Sequence, residues 1–254
     1  MTAPLELLPA PLGAGVLAGF ATRGGGSSQA PYGSLNLAFT VGDEPASVRA
    51  NRAALLAAAA SGAIGMVWAE QVHAGDVAVV GDVPALAEQQ GEQGVPGVDA
   101  LVTATPGLLL CIRVADCLPV LFSDAQAGVI GAAHAGRRGL VAGILHGTVA
   151  AMESLGANRS RIRAVVGPGI CGRCYEVPAT LAAEVGSVLT GSRSVTTWGT
   201  PSLDLPAAAY AALDGLRLGA VEMVQECTAE QPDRWFSYRR AQRTGRFAGF
   251  VALG

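Results

Sequence analysis

The chain contains no lysine: all 17 of its basic residues are arginine. That excludes a Schiff-base lysine and the lysine of a P-loop. An anion in this protein is therefore held by arginine, by backbone N–H groups or by a metal. Charge is sparse altogether, at 15% of 254 residues with a net of −3, and no clustered basic face of the kind nucleic acid requires stands out. Long apolar runs are lacking too; segments such as "SGAIGMVWA" are too short to span a bilayer. The opening "MTAPLELLPAPLGAGVLAGF" has no basic start and is broken by three prolines, so it does not read as a signal peptide. The five cysteines (Cys111, Cys117, Cys171, Cys174 and Cys227) are odd in number and read as reduced thiols of a cytoplasmic protein.

What is present is hydrophobic: half of the residues, enough to bury one sizeable core. Length alone permits one domain or two, and no repeat or long linker stands out to divide residues 1–254. Two polar loops, "TRGGGSSQAPYGSLNL" (22–37) and "AEQQGEQGVPGVDA" (87–100), interrupt the apolar segments. Helices are expected from Asp43 to Gly62, over 139–155 with Gly156 as the stop, and in "PATLAAEVGSVL" and "PAAAYAALDGLRLG", each opening on proline. Strands are expected in "DVAVVGDV", "ALVTAT", "LLLCIRVAD", "LPVLFSD", "GVIGAAHAG", "IRAVVGPG", "VEMVQEC" and "FAGFVALG". Helices alternate with strands only in part, which favours α+β, with helices packed over sheets, rather than a repeating βαβ fold.

The chemistry concentrates in "CIRVADCLPVLFSDAQAGVIGAAHAGRRGL", residues 111 to 140. Cys117 lies between two apolar runs and His134 closes the second. His73 precedes another apolar run in "EQVHAGDVAVV". Strand ends cluster in a sheet, so the three can share a site. Two imidazoles and a thiolate suit zinc, and three protein ligands leave a fourth position for water or substrate, the catalytic pattern. The same donors hold blue copper, usually with an axial methionine; Met66 is the nearest in sequence. A four-copper cluster needs far more than the three histidines present, of which His146 reads as an ordinary helix residue. The Cys171–Cys174 C-x-x-C opens no helix, since the next helix starts only after Pro178, and no redox role is assigned to it. "GAAHAGRRGL" reads as strand, turn and helix, bringing Arg137 and Arg138 to a helix N-terminus beside His134, an arrangement suited to an oxyanion. "FSYRRAQRTGRF" carries four arginines beside Tyr238, either a second binding wall or a solvated loop.

Several segments taken in order carry a resemblance: "TRGGGSSQAPYGSLNL", "VGDEPASVRANRAALL", "EQVH", "ADCLP", "HAGRRG", "GPGICGRCYEV" and "FSYRRAQRTGR". Together they resemble the bacterial laccase-domain or polyphenol oxidase family, whose members are also named peptidoglycan editing factor and purine nucleoside phosphorylase. The resemblance covers nearly the whole chain. It implies a single four-layer α/β/β/α sandwich with one zinc on His73, Cys117 and His134. It also implies phosphorolysis of adenosine, inosine, guanosine and methylthioadenosine, with adenosine deaminase activity. Arg138 matches the family's arginine and is the expected phosphate ligand. Arg23 and Arg239, in the first and last segments, are further substrate-binding candidates, and Asp116, beside Cys117, is the catalytic candidate. Arg137 stands where the family has tryptophan. No H-x-E…P-C-x-x-C signature is present, so a standard zinc deaminase is not expected. The rival reading is a hydrolase that edits peptidoglycan precursors, using either zinc or Cys117 as nucleophile with a histidine base.

Overall fold

A computed structural model describes residues 4–59, 65–81 and 94–254. The ends of two expected elements (60–62 and 82–83) and part of the second polar loop (87–93) lie outside the described residues.

Two mixed sheets carry the fold. The first contains β1 (Leu7–Pro9), β2 (Val16–Ala21), β3 (Gly65–Trp68), β6 (Leu108–Val114) and β13 (Phe247–Leu253), in the order β1-β2-β13-β6-β3. The second contains β4 (Val77–Val79), β5 (Ala100–Thr103), β7 (Leu118–Asp124), β8 (Val129–Ala135), β9 (Arg163–Val166) and β12 (Ala220–Met223), in the order β12-β9-β7-β8-β5-β4. Every residue of β7 and β8 is buried, which explains their unbroken apolar sequences. Alternate side chains serve two interiors. Val120 and Phe122 face helices, whereas Leu121 packs into the interface with the first sheet, beside Leu110, Ile112 and Val251.

Helix α1 (Pro45–Ala59) buries Val48, Asn51, Leu55 and Ala59 at helical spacing. Leu55 and Ala59 cover the outer face of the first sheet, against Trp68, Leu109 and Phe250. The other sheet is covered by α3 (Ile144–Ser154), α4 (Ala179–Val188) and α5 (Leu205–Gly215). The layers are therefore α/β/β/α. Asp204 caps α5 by accepting a hydrogen bond from the Ala207 N–H at 2.9 Å, with proline in the first turn.

Two expectations change. The single helix expected over 139–155 is two: α2 (Arg137–Val141) and α3, separated by Gly143 at φ 80°, where the backbone turns left-handed. The sequence reading also missed β1, β2 and β3, and the hairpin of β10 (Arg193–Val195) and β11 (Pro201–Leu203). These strands have three to six residues and are punctuated by glycine and proline, so their alternation is too short to register.

Candidate metal centre and active site

β6 belongs to the first sheet and β7 to the second, so residues 115–117 carry the chain from one to the other. Cys117 leaves that crossing immediately before Leu118, which pairs with Ala135; Pro119 pairs with His134. On the other side of β8, Ala133 pairs with Ala100, so Asp99 lies next to His134. Topology alone therefore gathers Cys117, His134 and Asp99.

Asp99 is fully buried. Its Oδ1 accepts from His134 Nδ1 at 2.6 Å and from the His73 N–H at 3.0 Å. Its Oδ2 accepts from the Val72 and Ala74 N–H groups at 3.1 and 2.8 Å. One carboxylate thus orients His134 and folds the loop that presents His73, whose φ is 63°. The two imidazoles meet edge to face, with centroids 4.7 Å apart. Gly136 completes the cradle. A Cβ there would lie 3.0 Å from Cys117 Sγ, 3.3 Å from His73 Cδ2 and 3.5 Å from His134 Cε1.

The donor atoms of His73, Cys117 and His134 all lie within 4.8 Å of one another. Tetrahedral ligands at zinc bond lengths sit roughly 3.3–3.8 Å apart, so this set fits one ion after small side-chain adjustment. The second shell fits as well. With Nδ1 donating to Asp99, His134 keeps Nε2 as its ligand atom. Electrostatics prepare the thiolate. Burial alone would push the Cys117 thiol up, but the His134 charge and hydrogen bonds from both histidines bring it down to about 6. Burial also opposes the charged form of His134, yet Cys117 and Asp99 raise it to about 9. The two titrate as a coupled pair and favour thiolate and imidazolium at neutral pH.

Asp116 occupies the crossing itself, at φ 90°. Its backbone C=O accepts from the Ile170 N–H at 2.8 Å. Its carboxylate accepts from Thr228 Oγ1 at 2.7 Å and from the Arg239 N–H at 2.6 Å. These bonds hold a strained residue in place and tie two distant loops to it.

A cavity of about 850 Å³ opens over the three ligands. Arg113, Arg239 and Arg246 line it with Tyr175 and Tyr238. The Arg239 guanidinium stands 5.0 Å from the Tyr175 ring centre and donates to the Glu176 C=O at 2.7 Å. Arg246 lies 5.7 Å from the Tyr238 ring centre. Burial holds the Arg246 pKa below its ordinary value, with Asp116 and Cys117 pulling the other way.

The expected site is thus gathered only in part. His73, Cys117, His134, Asp116 and Arg239 converge on the cavity. Arg138, expected at the metal, is exposed and lines a separate cleft with Arg137, Val141 and Glu184. Neither arginine lines the cavity that His134 faces. Arg23 is also absent from the cavity wall. Its guanidinium donates to the Gly33 and Pro232 C=O groups and lies 4.8 Å from the Phe236 ring centre, joining two loops. The C-terminal arginines divide between the two readings offered for them. Arg239 and Arg246 form a cavity wall, while Arg240 donates to the Thr228 and Trp235 C=O groups and Arg243 to Tyr32 Oη. His146 is an exposed residue of α3. Sequence reasoning missed Arg113 and Tyr175 in the cavity wall and, behind the ligands, Asp99. Its one signal is a lone carboxylate opening the apolar strand "ALVT".

Fold and site define a four-layer α/β protein with a three-ligand metal set on the floor of a cavity lined by arginine and tyrosine. The model of the multi-copper polyphenol oxidoreductase laccase family matches residues 17–254, and the chain belongs to that family. A Streptomyces griseus protein named purine nucleoside phosphorylase ORF3 is 50% identical over 234 residues, covering 92% of this chain and 93% of its own. A Deinococcus radiodurans purine nucleoside phosphorylase is 44% identical across 100% of this chain and 95% of its own. Among solved structures, YlmD from Geobacillus stearothermophilus superposes with a TM-score of 0.86 at 33% identity, covering 96% of this chain and 94% of its own. Bacillus licheniformis YfiH gives 0.87 at 30%, covering 99% and 97%. The family's multi-copper description meets only two histidines at this centre, too few for a multi-copper cluster.

Proposed function

We propose that the chain is a zinc-dependent purine nucleoside phosphorylase acting on adenosine, inosine, guanosine and methylthioadenosine, with adenosine deaminase activity in the same cavity. One observation carries the reading: a preorganised His73–Cys117–His134 set facing a cavity that holds cationic and aromatic walls together. The relatives named purine nucleoside phosphorylase support it. When bound, the metal supplies a Lewis acid for an oxygen of phosphate or water.

The chain's own residues do the rest. Asp99 keeps the His134 proton on Nδ1. Arg239 and Arg246 hold phosphate, and Tyr175 and Tyr238 offer flat faces to the purine. Asp116 acts as a positioning residue, because its carboxylate fixes the Arg239 backbone. In phosphorolysis, an oxygen of hydrogen phosphate bonds to the anomeric carbon as the glycosidic C–N bond breaks. The electron pair leaves with the purine, and the phosphate proton ends on that base. In deamination, water adds to the amino-bearing purine carbon and ammonia leaves. Each nucleoside incubated with and without phosphate tests this. The sugar 1-phosphate (ribose 1-phosphate, or 5-methylthioribose 1-phosphate from methylthioadenosine) formed only with phosphate is expected, and the free sugar formed regardless of phosphate would overturn the reading.

One further observation favours a second reading. Cys117, His134 and Asp99 also form a nucleophile, base and orienting carboxylate, as a cysteine hydrolase editing peptidoglycan precursors would use. The readings exclude each other at Cys117, since a metal-ligating thiolate is not a free nucleophile. Iodoacetamide protection of Cys117 in zinc-loaded protein supports the phosphorylase; rapid alkylation with loss of a hydrolase activity supports the alternative.

A further inference from the structure

Outside the cavity, a second set of soft donors converges. Cys171, Cys174, Cys227 and Glu230 place one donor atom each within 4.8 Å of all the others. None of the four lines the cavity.

Their local backbone is built in duplicate. The Cys174 N–H donates to the Cys171 C=O at 3.0 Å, and the Glu230 N–H to the Cys227 C=O at 3.2 Å. Each segment is therefore a tight four-residue turn with a donor side chain at its first and fourth positions. The turns come from segments more than fifty residues apart, yet they are stitched face to face. Gly169 bridges Cys227 in parallel, the Thr228 N–H donates to the Gly169 C=O at 3.1 Å, and the Cys171 N–H donates to Cys227 Sγ at 3.3 Å. Glu230 Oε1 stands 3.8 Å from Cys171 Sγ and 3.6 Å from Cys174 Sγ. Gly172 lets the first turn pack closely, since a Cβ there would lie 2.6 Å from Ser194 Oγ.

We propose that these four residues form a second metal site, a closed structural zinc clamp distinct from the His73–Cys117–His134 centre. Two turns bearing ligands at first and fourth positions, from separate segments, are how C-x-x-C pairs build four-coordinate zinc sites. Three sulfurs select a soft or borderline ion, and a carboxylate as fourth donor favours zinc over copper(I). A disulfide uses two sulfurs and gives the carboxylate no part. Charge agrees: Arg173, between the first two cysteines, holds Glu230 at 3.0 and 3.1 Å and offsets the excess negative charge of three thiolates and a carboxylate around a dication. The clamp fixes the cavity wall from behind. Its turns flank Ile170 and Tyr175, which line the cavity, and Thr228, which holds Asp116.

Metal content of the full-length protein, purified under reducing conditions and dialysed against a weak chelator, tests the site. About two zinc equivalents per chain are expected for the native protein, one for Cys174→Ser, one for Cys117→Ser and none for the double variant. A native protein with one equivalent, abolished by Cys117→Ser and untouched by Cys174→Ser, overturns the clamp while leaving the catalytic centre standing. Should Cys174→Ser fail to fold, cadmium-113 resonances of the native protein decide. Two signals are expected, one shifted downfield as three thiolates require, and a single signal overturns the site. A disulfide among the three cysteines that persists in the protein purified under reducing conditions, seen by mass spectrometry, overturns it equally.

Discussion

Asp99→Asn tests the centre most directly, because it changes one atom and leaves volume intact. The buried carboxylate accepts four hydrogen bonds, two on each oxygen. Asparagine has one acceptor oxygen and one donor nitrogen, so either orientation fails. With its oxygen toward His134 and His73, its NH2 opposes the Val72 and Ala74 N–H groups and leaves two part-buried donors unpaired. At about 1–3 kcal/mol each, that costs about 2–6 kcal/mol of stability. With its NH2 toward His134, the imidazole accepts at Nδ1 and carries its proton on Nε2, the atom the metal needs. The folded protein then loses about 10–100-fold in zinc affinity. Chelator competition measures the affinity, and thermal unfolding of the metal-free protein measures the stability, with a fall of at least about 4 °C expected. Unchanged zinc affinity together with an unchanged melting temperature would refute the assignment of Asp99 as the organiser of this centre.

Replacing Cys117 with Ala removes the catalytic-centre metal and nearly all activity while the far-ultraviolet circular dichroism stays native; full turnover in the metal-free variant sinks the zinc mechanism. Zinc binding at the His73–Cys117–His134 centre near pH 7.5, followed in Cys174→Ser protein so that the second site does not contribute, releases about one proton, from His134 and not from Cys117, because the imidazole sits raised to about 9 and the thiol lowered to about 6. Affinity therefore strengthens as pH rises toward 9 and weakens steeply below 6, where the thiol is protonated as well; calorimetry in buffers of different ionisation enthalpy counts the protons, and none released refutes the coupled-pair reading. Arg239→Ala raises the phosphate concentration needed for half-maximal cleavage by one to two decades, the loss of about 1.5–3 kcal/mol from a charge-assisted contact, and slows deamination less. Arg138→Ala, exposed and outside the cavity, changes the phosphate requirement less than about twofold; equal losses in the two variants refute the placement of phosphate on the Arg239 wall.

The long apolar strands β6 to β8 and the convergence of His73, Cys117 and His134 were legible in the sequence because their signals are local: a run of buried residues, or a rare histidine or cysteine at a strand end. The short strands β1 to β3 were not, because only pairing makes them strands: β1 with β2, β2 with β13 and β3 with β6. The arginines show the same division more sharply. Arg138 sits beside His134 in sequence, yet the two line different clefts. Arg246 lies over a hundred residues from Cys117 and lines the same cavity.

Asp99 and the clamp residues mark the remaining limit. Asp99 matters because β5 pairs with β8, which sets it against His134; nothing within the sequence around it says which strand that partner is on. Cys227 and Glu230 meet Cys171 and Cys174 only because β12 pairs with β9 and delivers both following loops to one side of the sheet. A C-x-x-C read alone therefore carried no role. Its other half is a C-x-x-E whose spacing carries meaning only once the parallel pairing has placed it opposite.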